Sequence, residues 1–91
     1  MTIRSRVRDF VVENFLYGED NGFKDRDSFR ELGIIDSTGI LELISFLEQT
    51  FNIAIEDAEV IPENLDCIDN IVDFLTSKLS GAKSKKLEIA L

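Results

Sequence analysis

Apolar residues recur at helical spacing in three stretches of the chain. Ile3, Val7, Phe10, Val11, Phe15 and Leu16 draw one stripe along residues 3–16. That is the pattern of an amphipathic helix, whose buried face returns every three or four positions. Thr2 stands where a side-chain oxygen caps the first turn, and Gly18 ends the run. A second stripe of Ile40, Leu43, Ile44, Leu47 and Phe51 predicts a helix over 37–51, with Asp36 as N-cap and Ser37 as the first helical residue. Glu42, Glu48 and Gln49 fall off that stripe. A third, of Ile68, Ile71, Val72, Leu75 and Leu79, predicts a last helix from about Leu65 to Leu79, capped by Asn64 or Asp66.

Residues 17–35 read as a long loop, because Gly18, Asn21, Gly22, Gly33 and the charged run from Lys24 to Asp27 break the period. Phe23, Phe29, Leu32 and Ile34 are spaced to pin it onto a core, and loops of this length are commonly functional. Residues 52–63 place Ile53, Ile55, Val60 and Ile61 among carboxylates; one helical turn is expected near Asp57 to Ile61, stopped by Pro62. No internal repeat is present. The expected architecture is one all-α domain over residues 1–79. Ser80–Leu91, with Lys83, Lys85 and Lys86, is expected to be a flexible tail in which only Leu87, Ile89 and Leu91 offer anchors.

A chain of 91 residues with 44% hydrophobic content suffices for one compact core but not for a large enclosed catalytic cavity. The charge sharpens the functional reading. With 18 acidic and 10 basic residues the net charge is −8. That balance disfavours nucleic acid and anionic membranes, which need clustered Lys and Arg. It favours partners with basic surfaces, whose encounter would slow as salt rises. The absence of His removes the commonest general base and metal ligand, so Ser-His-Asp and Cys-His sites are excluded within the chain. Cys67 is the only cysteine, so no internal disulfide forms and a reducing cytoplasm fits. Cys67 itself reads as a small buried apolar residue. Arg4, Arg6 and Arg8 alternate with apolar residues and no long apolar run follows, so no secretory leader is expected. No stretch approaches the roughly 20 apolar residues that span a bilayer.

The informative segment runs from Leu32 to Phe51. Leu32-Gly33 precedes Asp36-Ser37, and the acidic helix that follows holds Glu42-Leu43, Leu47-Glu48 and Phe51. Asp-Ser alone is a weak signal; the ordered set within a small acidic chain is specific. On these residues the chain resembles the acyl carrier protein family over most of its length, from the first helix to about Leu79. The resemblance implies a bundle of three long helices and one short one with a long first loop. It implies that Ser37 receives a 4′-phosphopantetheine arm from coenzyme A, through a separate phosphopantetheinyl transferase that brings its own metal ion. Thioester-bound cargo would ride on the arm between a loading ligase and downstream synthases or transferases, with no catalysis by the carrier, which is expected to be monomeric. A serine in the first turn of a helix suits this role, because the free N–H groups and partial positive charge there favour a phosphodiester. Asp36 would cap the helix and hold Ser37 outward.

Two features refine the reading. Between Glu31 and Ser77 there is no Lys or Arg, while Glu31, Asp36, Glu42, Glu48, Glu56, Asp57, Glu59, Glu63, Asp66, Asp69 and Asp73 all fall there. A face of one sign is what a docking surface for basic enzymes needs, with Thr38, Leu41, Glu42, Ser45 and Glu48 as the expected docking positions. Thr38 and Gly39 follow the serine where carriers of fatty acid synthesis usually have a large aliphatic residue, and Ser45 stands where Met or Leu is frequent. The departures point to a specialised discrete carrier, for modified lipids or secondary metabolites, or for amino acids in nonribosomal assembly. Apolar residues between the second and last helices, and Phe46, are candidates to shelter the cargo. Outside the carrier class stand an unmodified helical interaction module and a small hydrolase using Ser37, which lacks a base. Glu19-Asp20-Asn21-Gly22 has the flavour of a calcium loop, but Tyr17 and Ser28 fall at its first and last ligand positions, so no calcium site and no other metal is expected.

Overall fold

The computed structural model describes residues 2–19 and 22–79. Every regular element among them is helical: α1 (Ile3–Phe15), α2 (Phe29–Leu32), α3 (Ser37–Phe51), a 3₁₀ turn at Asp57–Glu59, α4 (Pro62–Leu65) and α5 (Ile68–Leu79). The expected carrier-type helical bundle is therefore present, with the three long helices on the three apolar stripes. α1 begins on Thr2, whose hydroxyl accepts the Ser5 N–H at 3.0 Å while the Ser5 hydroxyl accepts the Thr2 N–H at 3.1 Å. α3 begins on Asp36, whose carboxylate accepts the Gly39 N–H at 2.7 Å. The two helices run antiparallel: the end of α1 at Phe15 meets the start of α3 at Gly39, and Phe10 stacks on Phe46 at 4.1 Å farther along. Val7, Val11, Leu43, Leu47, Ile68, Ile71 and Leu75 are fully buried where α1, α3 and α5 converge. Burying each contributes about 1.5–3 kcal/mol.

The segment read as an unbroken loop carries α2. Ser28 caps this short helix by accepting the Glu31 N–H at 3.1 Å, and Gly33 ends it at φ +67°, in the left-handed region that glycine tolerates. Phe23 and Phe29 are buried and Ile34 packs on the core, as expected, but Leu32 is 53% exposed because the Gly33 turn carries the end of α2 outward. The loop is held by arginines of α1. The Arg8 guanidinium donates to Asp25 at 2.7 Å and to the Phe23 carbonyl at 2.6 Å, and lies 5.5 Å from the Phe23 ring. Arg4 pairs with both Asp25 and Asp69, and the Asp69 N–H reaches the Asp25 carbonyl at 3.0 Å. Hydrogen bonds from Arg4 to Asp69 and then Asp25 raise the Arg4 pKa above its ordinary value.

The last helix also departs from expectation. It starts at Ile68, and the preceding turn is the separate α4. Pro62, expected only to stop a turn, opens α4, since its fixed φ suits a first helical position. The N-terminal bond of α5 comes from Cys67, not Asn64 or Asp66: the Asn70 N–H approaches Cys67 Sγ at 3.4 Å. Asp66 is drawn away to the first loop, accepting the Ser28 hydroxyl at 2.5 Å and the Arg30 N–H at 3.2 Å, while Asn64 donates to the Glu59 carbonyl at 2.9 Å. The tail from Ser80 and the Asp20-Asn21 pair lie outside the described residues.

Candidate functional site

Ser37 sits at the junction of three local devices. The Gly33 turn brings the chain off α2, Asp36 takes an extended conformation (φ −100°, ψ −171°), and α3 starts at once. Ser37 is exposed as the first residue of that helix. The Gly39 N–H is taken by the Asp36 carboxylate and the Ile40 N–H by the Asp36 carbonyl at 2.9 Å. The N–H groups of Ser37 and Thr38 are left without acceptors among the described residues, as a first turn requires. A phosphodiester on the Ser37 hydroxyl fits these two donors.

Gly39, which sequence propensity marks as a weak point of α3, is buried in the seam with α1. A Cβ there would meet the Phe15 ring at 3.0 Å, the Ile35 side chain at 3.1 Å and the Asp36 carboxylate at 3.3 Å. Glycine is the residue that lets α1 and the Asp36 cap close on the first turn.

An apolar cleft of about 220 Å³ opens beside Asp36. Phe29, Ile35, Ile40, Val60, Ile61 and Leu65 line it. It therefore lies between the start of α3 and residues 60–66, ahead of α5. Phe46, a candidate for such a lining, belongs to the opposite side: it stacks on Phe10 and meets Phe51 edge-on at 6.3 Å.

Of the expected docking positions, Thr38, Leu41, Glu42 and Ser45 share one exposed groove with Phe10, Asn14 and Phe46 of the α1–α3 seam. Leu41 is 64% exposed, well above what a core edge requires. Glu48 is turned elsewhere: half-buried, it accepts the Ile55 N–H at 2.8 Å and so holds the chain after α3. The basic-free span is partly neutralised in space. Lys78 folds back to both oxygens of Glu59 at 2.9 Å, Arg30 approaches Asp66 at 3.9 Å, and Arg4 takes Asp69. Asp36, Glu42, Glu56, Asp57 and Glu63 stay exposed with no ion pair among the described residues. No group of three or more His, Cys, Asp or Glu suited to a metal ion occurs among the described residues, and no helix there is long and apolar enough to cross a membrane.

A helical bundle with an exposed serine at a helix start, open amides around it and an apolar cleft at its side has the form of a carrier of a covalent arm. Comparison with known proteins gives the same class. The phosphopantetheine attachment site family matches residues 6–75. The chain is 30% identical over 70 residues to "Probable acyl carrier protein PigG" of a Serratia species, covering 77% of this chain and 80% of that one. It is 30% identical over 76 residues to an acyl carrier protein of Buchnera aphidicola, covering 84% and 91% of the two chains. It is 35% identical over 75 residues to one of Campylobacter hominis, covering 82% and 91%. The chain belongs to the acyl carrier protein family and bears 4′-phosphopantetheine as its covalent prosthetic group.

Proposed function

We propose that Ser37 is the attachment residue and that the protein presents acyl groups, as thioesters on its arm, to the enzymes of a lipid or secondary-metabolite pathway. One observation carries this reading: Ser37 is exposed at the start of α3, its own N–H and that of Thr38 have no acceptor among the described residues, and the preceding Asp36 lines an apolar cleft. In the arming reaction the hydroxyl forms a phosphodiester with the pantetheine phosphate of coenzyme A, whose nucleotide part leaves. The arm supplies a terminal thiol for the thioester. The chain supplies the anchor, the amide donors, and an apolar wall to which an acyl chain folds back, removing it from water. Catalysis comes from partners: the transferase that adds the arm, the ligase that loads it, and the synthases or transferases that take the cargo. Thr38, Leu41, Glu42 and Ser45 form the docking face, Glu48 being committed to the Ile55 N–H, and Asp36 serves as cap and recognition carboxylate. A monomer in a reducing cytoplasm fits the lone buried Cys67.

The test is the intact mass of the full chain after incubation with coenzyme A and a broad-specificity phosphopantetheinyl transferase, run beside Ser37→Ala. The parent gains one phosphopantetheine and the variant none. An armed Ser37→Ala protein would refute the assignment. Loading of the armed parent by an amino-acid ligase alone, with fatty-acid ligases inert, would replace the acyl cargo by an aminoacyl one.

A further inference from the structure

Tyr17 is a large residue in a place that suits neither its side chain nor its backbone. The residue is 90% exposed. Its φ is +57°, in the left-handed region that bulky L-residues avoid because Cβ crowds the next carbonyl. A turn is needed there, since the Gly18 N–H must return to the Val12 carbonyl at 2.8 Å to close α1. Glycine or asparagine would make that turn without strain. The Tyr17 side chain gains nothing from its own fold: no hydrogen bond, ring contact or cation meets it among the described residues. Strain that the fold does not reward marks a position held for function.

The surroundings indicate which function. Tyr17 shares a surface recess of about 410 Å³ with Asn14, Asp36, Thr38, Gly39 and Glu42, immediately beside Ser37. Asp36 and Glu42 are the charges in it; no Lys or Arg lines it. Exposed Leu41 stands one turn farther along α3. An aromatic ring and two carboxylates thus line a recess bounded by the two chain neighbours of Ser37, with an exposed aliphatic side chain one turn away. Their complement is an apolar pocket with a basic rim. Because Asp36 and Thr38, on either side of Ser37, line this recess, an enzyme acting on the serine comes against it. Tyrosine suits such a contact, burying a large flat surface at small rotamer cost with its hydroxyl at the wet edge.

We propose that Tyr17 is a recognition residue for the phosphopantetheinyl transferase, seating its ring in an apolar, basic-rimmed pocket of that enzyme. The proposal rests on Ser37 being the attachment residue. The test combines thermal melts with steady-state arming kinetics of the full chain, using coenzyme A and the same broad-specificity transferase. Tyr17→Gly and Tyr17→Asn remove the ring and relieve the backbone, so their Tm stays equal to the parent's or rises. Their KM for the carrier should rise about tenfold, while Tyr17→Phe, which keeps the ring, stays within about threefold of the parent. A Tyr17→Gly protein with the parent's KM overturns the proposal and leaves Ser37 untouched. So does a raised KM accompanied by a lowered Tm, which would make Tyr17 a structural residue. A parent that gains no arm removes the Ser37 assignment and this proposal together.

Discussion

Replacing Gly39 by alanine sets two physical effects against each other. In the interior of a helix, alanine is favoured over glycine by about 1 kcal/mol, so α3 viewed alone would gain from the change. In the folded chain the new methyl would lie 3.0 Å from the Phe15 ring, 3.1 Å from Ile35 and 3.3 Å from the Asp36 carboxylate. Carbon pairs prefer about 3.5–4.0 Å, so several tenths of an ångström must be found at each contact. The Phe15 ring has little freedom to give way. It packs edge-on against Phe10 at 5.6 Å, and Phe10 is stacked on Phe46 at 4.1 Å. Asp36 is held by its bond to the Gly39 N–H at 2.7 Å. Overpacking of this kind costs about 1–3 kcal/mol. The clash should therefore exceed the propensity gain by about 1 kcal/mol, lowering Tm by about 4–8 °C in a domain of this size. Thermal unfolding followed by circular dichroism on the unarmed protein measures it. Trimming Phe15 to Leu in the Gly39→Ala background should recover part of the loss, since the two sites share one contact. A Gly39→Ala protein that melts at or above the parent would refute the close approach of α1 to the start of α3.

Two further changes probe the ion pairs. The Lys78 and Glu59 side chains are only 13% and 28% exposed, so Lys78→Met should take the ammonium from a partly buried carboxylate that keeps its bond from the Glu56 N–H, at a cost of about 1–2 kcal/mol. Adding Glu59→Gln should return part of that cost; strictly additive denaturant midpoints would show that the pair is not coupled. For Arg4, hydrogen bonds to Asp69 and then Asp25 raise the pKa of the folded state above its ordinary value, so its stabilisation is complete below the unfolded value and is lost only as pH rises through the folded one. The drop in Tm caused by Arg4→Ala should accordingly be the same at pH 7 and pH 9; a drop that shrinks by half at pH 9 would contradict this pairing.

The three long helices and Ser37 were legible because they rest on local relations. Apolar residues three or four apart define a buried face, and Thr2 and Asp36 cap the turns that directly follow them. The motif around Asp36-Ser37 is likewise confined to one turn and one helix. Other features depend on neighbours far apart in the chain. Arg4 and Arg8, which alternate with apolar residues at the N-terminus, meet Asp25 and Asp69 only because the first loop folds across α1 and α5. Lys78 lies just beyond the basic-free span yet neutralises Glu59 within it. Asp66, placed by sequence to cap α5, is committed instead to Ser28 and Arg30, leaving the N-terminal bond of the helix to Cys67. Glu48 looks like any surface carboxylate until the chain after α3 turns back and presents the Ile55 N–H to it. Gly39 looks like a weakness in α3 until Phe15 closes on it. By itself the sequence determined which segments become helices and which serine stands at a helix start, since hydrophobic periodicity and capping act over a few residues. Which charges stay free, which side chains face the cleft and which backbone positions carry strain were decided by tertiary packing, because those depend on distances between residues that the sequence leaves far apart.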